Sequence, residues 1–261
     1  MGACGTGGVV KLCLLLCMVL WLATARPASG ATIQVVTEYL YPYQIKNDDG
    51  SLGGFMTEVV YALCEQVGDT PDIRVMPWAR AYQTAVTTEN VLIYSIVHTQ
   101  ARSPLFHWIG EVQTEPIFLW GLKRRFPVQS DSLMLLKQHR VAVLRGSNVA
   151  HYLAKQQFSD LKPLSYEEQL LQMLEKDRLD LVVGTEETIW QRANKAGVDF
   201  NALSKVAELK ELNTNLSIAF NIRSDPNLVA RYRTAFSEIS ANGQLAAIQQ
   251  KWFNYVQVAK Q

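Results

Sequence analysis

The run Ser95-Ile96-Val97-His98-Thr99-Gln100-Ala101-Arg102 follows an apolar, β-rich segment and gathers hydroxyls and a guanidinium in one short stretch. Thr99 is placed to cap a helix whose first turn carries Arg102, so that free backbone N–H groups, a hydroxyl and a guanidinium aim at one spot. Such a spot suits a carboxylate. The planar fork of arginine matches both oxygens, and a charge-assisted pair is about twice as strong as a neutral hydrogen bond. Taken alone, Thr-x-x-Arg is common, and a surface arginine is the simpler explanation of it. A second feature of the same kind, Arg145-Gly146-Ser147, also ends a strand and opens a helix, and would aim N–H donors across a cleft at the first.

Aromatic residues form the third component. Tyr39, Tyr41, Tyr43 and Trp78 fall at or just beyond strand ends rather than in helical stripes, and strand ends are where open α/β sheets bind ligands. They suit the apolar wall of a small-molecule pocket, with core or rim packing as the alternative. Other chemistries are poorly supplied. His98, His107, His139 and His151 share no metal-ligand spacing, so neither a metal nor a cofactor is expected. No Gly-x-Ser-x-Gly elbow occurs, and no Gly-Lys-Ser/Thr closes a phosphate loop. The pairs Glu167-Glu168 and Glu186-Glu187 fit the first turns of helices, where the macrodipole favours acids. With Lys+Arg at 25 against Asp+Glu at 24, no cationic surface excess exists to hold nucleic acid.

The elements that must position these residues alternate short apolar strands with helix-period segments, the grammar of an α/β fold. Strands are predicted over 33–36, 73–76 and 91–94. Between the first two, Phe55, Val59, Leu63 and Val67 recur at four-residue spacing ahead of Gly68, a helix with its C-cap. A short helix is predicted over 79–87. In the second half, strands are predicted over 140–144 and 179–183, with helices from Asn148 through Phe158, over 167–178 and over 186–195. Two extended segments follow, 206–209 and 216–222. The chain ends in helix over 226–255, broken at Asn242-Gly243. The extended runs 117–123 and 217–222 are predicted to be crossovers that delimit a central lobe, giving two lobes joined by two strands.

At the N-terminus, Lys11 precedes an apolar run from Leu12 to Leu22, and Ala23-Thr24-Ala25 follows, the pattern of a cleavable secretory signal over residues 1–25. A second cut near Gly30 is the alternative. The apolar run is short of the ~20 residues a membrane span needs. Cys4, Cys13 and Cys17 would leave with the signal, so Cys64 alone remains, no internal disulfide forms, and stability comes from an ordinary core. No small residue precedes Cys17 as a lipid acceptor would require, which points to a soluble periplasmic protein.

The order of Tyr41-Pro42-Tyr43, Gly53-Gly54-Phe55, Pro77-Trp78-Ala79-Arg80-Ala81, Thr99-Gln100-Ala101-Arg102, Arg145-Gly146-Ser147, Leu179-Asp180-Leu181-Val182-Val183 and the ending Gly243-Gln244-Leu245 with Lys251-Trp252-Phe253 resembles the family 3 bacterial extracellular solute-binding proteins. The resemblance covers nearly the whole mature chain. It implies an α/β, two-lobed type 2 periplasmic binding protein fold with two hinge strands and the ligand cleft between the lobes. Lobe 1 would comprise 26–119 and the C-terminal return 217–261, lobe 2 the residues 120–216. It also implies a monomeric receptor that captures an amino acid or a related small solute and serves a membrane ABC permease, without a cofactor. Residue by residue, Arg102 would grip the ligand carboxylate, helped by Thr99, Gly146 and Ser147. Ser95 would contact the ligand, and an aromatic among Tyr39 to Tyr43, with Trp78, would wall it. Where such receptors carry an acid for the α-amino group, this chain has Thr185 followed by Glu186. Either Glu186 substitutes, or the ligand is an acid without a standard amino group. The runner-up is a secreted dehydratase acting on cyclohexadienyl acids, with Glu186 or His98 as general acid or base. A sensory or cell-wall enzyme module is disfavoured because no further domain follows Gln261.

Overall fold

The computed structural model describes residues 30–112, 116–130, 132–165, 169–212 and 215–259, with side chains as far as Trp252. The expected signal over 1–25, its three cysteines and the Glu167-Glu168 pair lie outside these residues. No helix among the described residues is long and apolar enough to cross a membrane.

Strand β1 (Thr32–Thr37) buries Ile33, Val35 and Val36, so both its faces are covered, as a central parallel strand requires. A small hairpin, β2 (Ile45–Lys46) and β3 (Leu52–Gly53), leads into helix α1 (Phe55–Val67). The four-residue spacing puts Phe55, Val59 and Leu63 in the core, and Gly68 ends the helix at φ 83°, a left-handed conformation glycine adopts without a Cβ penalty. Then come β4 (Thr70–Val75), α2 (Trp78–Thr87), β5 (Leu92–Val97) and β6 (Phe106–Val112).

The second half comprises β7 (Phe118–Leu122), β8 (Arg140–Leu144), α3 (Asn148–Lys155), β9 (Asp160–Leu164), α4 (Leu170–Glu175), β10 (Val182–Gly184), α5 (Glu186–Ala196) and β11 (Leu203–Glu208). The chain closes with β12 (Leu216–Asn221), α6 (Pro226–Ala241) and α7 (Gln244–Ala259).

Two sheets organise the molecule into two lobes. The first has the order β4-β1-β5-β12-β6, with β1 parallel to β4 and β5, and β12 antiparallel to β5 and β6. The second has the order β10-β7-β11, and the parallel pair β8-β9 is tied to it through the Val141–Leu181 bridge. Tyr232 and Ile239 of α6 and Trp252 of α7 share one core with Val59 and Leu63 of α1, which returns the C-terminus to the first lobe.

Both runs predicted as crossovers are sheet strands instead. β7 pairs on both sides within the second sheet, and β12 on both sides within the first. Borders at 119/120 and 216/217 therefore cut through strands. The chain passes between the sheets just before each one, between Val112 and Phe118 and between Glu208 and Leu216. An apolar extended run is what a doubly paired strand looks like, and composition alone does not distinguish it from a connector. Besides the two-residue strands β2 and β3, two strands were not predicted. β6 carries His107, Gly110 and Glu111 among its apolar residues, and β9 is an edge strand containing Pro163, which an edge tolerates.

Candidate functional site

Strand ends and helix starts from both lobes enclose a cavity of about 150 Å³. Of the residues singled out in the sequence, Arg102, Ser95, Tyr43 and Trp78 line it from the first lobe, Ser147 and Thr185 from the second.

Arg102 is 5% exposed. Its Nη1 donates to the Val97 carbonyl at 3.0 Å, and the guanidinium lies over the rings of Trp78 and Tyr82 at 5.4 and 5.1 Å. Nη2 is buried without a hydrogen-bond partner, and Arg102 pairs with no carboxylate among the described residues. Burial pushes the guanidinium pKa down and Tyr82 opposes this, but an arginine keeps its proton inside proteins. Keeping a charge in so dry a place is costly unless partners offset it.

A β-bulge aims Ser95. Ser217 pairs with Ile96 and Ile218 with Tyr94, which leaves Ser95 opposite no partner and in the left-handed region at φ 58°. Gln44, itself buried, donates through Nε2 to the Ser95 Oγ. With that lone pair engaged, the Ser95 O–H is left to donate.

In the second lobe, Ser147 is the N-cap of α3 and accepts from the Ala150 N–H at 3.1 Å. Thr185 caps α5, accepting from the Thr188 N–H at 3.2 Å, with the two hydroxyls 2.9 Å apart. A Cβ on Gly184 would stand 2.8 Å from the Thr188 Oγ1, so glycine lets the helix start this close to its strand. One turn beyond Thr188, on the same face, Arg192 lines the cavity and donates to the Val183 carbonyl at 3.1 Å.

Five of the residues considered for the site lie outside the cavity wall. Thr99 lies outside the cavity wall and caps no α-helix: Thr99 Oγ1 and its carbonyl take the Arg102 N–H in a turn, Ser103-Pro104-Leu105 forms a single 3-10 turn, and β6 follows. Arg102 is therefore a buried side chain with no α-helix start behind it. Gly146 also stays out of the wall, its carbonyl accepting from the Trp78 Nε1 at 3.2 Å. Tyr39 is 49% exposed and stays out of the wall, whereas Tyr43, packed on Phe55, does line the cavity. Glu186, in the first turn of α5, pairs with Lys205 of β11 at 2.6 Å, outside the wall. His98, the other residue considered as an acid or base, stacks on Trp108 at 4.0 Å, also outside it.

Sequence reasoning missed Gln44, Tyr82, Glu38, Thr188 and Arg192. The last two were within reach: once Thr185 is taken as the cap, positions 188 and 192 share its helix face. Among the described residues no group of His, Cys, Asp or Glu is placed to hold a metal ion. Cys64 is buried with its Sγ 3.4 Å from the Tyr232 hydroxyl, and burial pushes the thiol pKa up, so it packs rather than reacts.

Two lobes, two chain crossings and a cavity between strand ends match the fold of the type 2 periplasmic binding proteins. The chain belongs to the bacterial extracellular solute-binding proteins, family 3, whose sequence pattern matches residues 33–255. Among solved structures, a histidine kinase sensor domain with similarity to periplasmic binding proteins superposes with TM-score 0.74 at 20% identity, over 86% of this chain and 96% of that one. An ancestral arginine-binding protein bound to arginine gives 0.74 at 19%, over 86% and 99%. An amino acid ABC transporter substrate-binding protein from Streptococcus pneumoniae bound to L-arginine gives 0.73 at 18%, over 87% and 96%. No curated protein matches the sequence. At these identities the likeness carries the fold.

Proposed function

We propose that this chain is a periplasmic receptor that captures a small carboxylate-bearing solute, an amino acid or a relative of one, and delivers it to an ABC permease. The observation that carries the reading is Arg102: a buried guanidinium in the cavity wall with one nitrogen unpartnered. The amino-acid-binding neighbours of the same fold support it. Solute would bind first to the lobe that holds Arg102, Ser95, Tyr43 and Trp78. Rotation about the crossings before β7 and β12 would then bring Ser147 and Thr185 over it, the hinge closure of periplasmic binding proteins. Closure is favoured by as much as the solute binds the closed form better, and the closed form is what the permease reads.

A thermal-shift screen of the purified protein against amino acids, polyamines and small organic acids tests the proposal. A true ligand at 100 times its Kd adds about 2.7 kcal/mol, which raises the Tm of a chain of this size by roughly 5–10 °C. Arg102→Ala should abolish that rise while the unliganded protein still melts cooperatively. An Arg102→Ala protein with undiminished affinity would refute the assignment.

A further inference from the structure

The cavity lies where three apolar cores of the molecule meet. Tyr43 and Leu216 of its wall belong to the core that α1 and α6 share with the first sheet, and Val143 and Leu212 to one of the second lobe. Trp78 belongs to the third, against which Leu144 packs from the other lobe. The second-lobe hydroxyls on the wall serve the fold. Ser147 and Thr185 accept N–H groups at the starts of their helices, and the Thr188 hydroxyl donates to the Thr185 carbonyl. Glu38, Asn148 and Arg192, also on the wall, have interactions of their own within the protein.

We propose that the solute's body beyond its carboxylate is apolar, of about six carbons or fewer, and that it fills the gap between the three cores. This deepens the receptor reading above and rests on it, with the carboxylate on Arg102. Apolar atoms of the wall gain by meeting apolar atoms of the solute, whereas a polar group set among them leaves its hydrogen bonds to water without replacement. The volume sets the size: a dry cavity of about 150 Å³ lined by aliphatic and aromatic side chains holds a six-carbon ring. Val143 reaches the body only from the second lobe, so burying the body against it favours the closed form over the open one.

Calorimetry on the purified protein with probes matched in shape decides the matter. The pairs are 4-methylpentanoate against succinamate and L-leucine against L-asparagine, each exchanging a pair of methyl groups for an amide, with L-arginine alongside. Together they cover solutes with and without an ammonium. In at least one pair the apolar member should bind roughly 10–100-fold tighter, the scale of an amide moved out of water without new partners, and tighter than arginine. Val143→Thr and Val183→Thr keep the shape of two wall residues and add a hydroxyl. At least one of them should shrink that preference several-fold while the unliganded protein still melts cooperatively. If the amide members bind as tightly as the apolar ones, or arginine binds best, and Arg102→Ala removes that binding, this inference fails and the carboxylate receptor stands. If both threonine variants fold and keep the wild-type preference, the wall does not read the body and the inference fails. If no probe binds, the inference falls and the thermal-shift screen alone decides the receptor reading. If binding ignores Arg102→Ala, both readings fall.

Discussion

At the scale of single residues, the site depends on how Ser95 is held. Its position in the left-handed region costs conformational energy that the surroundings must offset, and the donor that reaches its oxygen is Gln44 from the other end of the hairpin region. Gln44→Met keeps the length of the side chain and removes the donor. We expect affinity for the carboxylate solute to fall about fivefold, the value of one net hydrogen bond, with a small loss of Tm. Unchanged affinity in calorimetry would show that Gln44 does not orient Ser95. No sequence pattern announces this pair, because positions 44 and 95 meet only when β5 carries its bulge. Arg102 differs: it stood out in the sequence for its type and its place after a strand, although the helix expected around it is absent. What the sequence could not supply was the placing of the guanidinium over Trp78 and Tyr82 together, since Tyr82 looks like one more aromatic of an amphipathic helix.

At the scale of elements, the second lobe is pinned by an ionic cluster at the start of β8. Asp180 takes the Arg140 Nη2 at 2.7 Å and Nε at 3.0 Å, the Arg140 backbone N–H at 2.8 Å, and the Arg125 Nη1 at 2.6 Å. The Arg140 guanidinium, ahead of the Arg125 contribution, holds the Asp180 carboxyl well below its ordinary value of 3.8, against the opposing effect of burial. Because the folded-state pKa is depressed, this stabilisation is complete above the unfolded-state value and is lost as pH falls below it toward the folded one. Asp180→Asn should therefore cost roughly 2 kcal/mol at neutral pH. Its Tm should also change less than the wild-type Tm between pH 6 and pH 3. Parallel Tm curves over that range would remove Asp180 from the account of acid sensitivity. The strand β10, two residues after Asp180, was visible in the sequence from the run Leu179-Asp180-Leu181-Val182-Val183, and so were α1, from its four-residue apolar spacing, and the break between α6 and α7 at Asn242-Gly243. β6 and β9 were not, because what makes them strands is their neighbours: β12 covers β6, and β8 pairs along β9 despite Pro163. Local pattern fixes an element when its own residues decide the matter, and is silent when a partner distant in the chain does.

At the scale of the whole molecule, the two lobes touch through a bond that needs no solute. Trp78 opens α2 in the first lobe, and its Nε1 donates to the Gly146 carbonyl in the turn before α3 of the second. The same indole covers the Arg102 guanidinium, so the residue that reaches across the cleft also helps to wall the cavity. A bond made only when the lobes are together weights the closed state in the absence of ligand, and any solute that closes the cleft benefits from it. Trp78→Phe keeps an aromatic ring over Arg102 and removes the N–H. With one net hydrogen bond worth about 1 kcal/mol, the closed population relative to open should drop about fivefold. Small-angle scattering of the unliganded variant should then give a larger radius of gyration than wild type, and solute affinity should weaken by no more than the same factor, chiefly through faster release. An unliganded radius identical to wild type, together with identical release kinetics, would mean that the bond follows closure without favouring it. The lobes would then be held together by the solute alone.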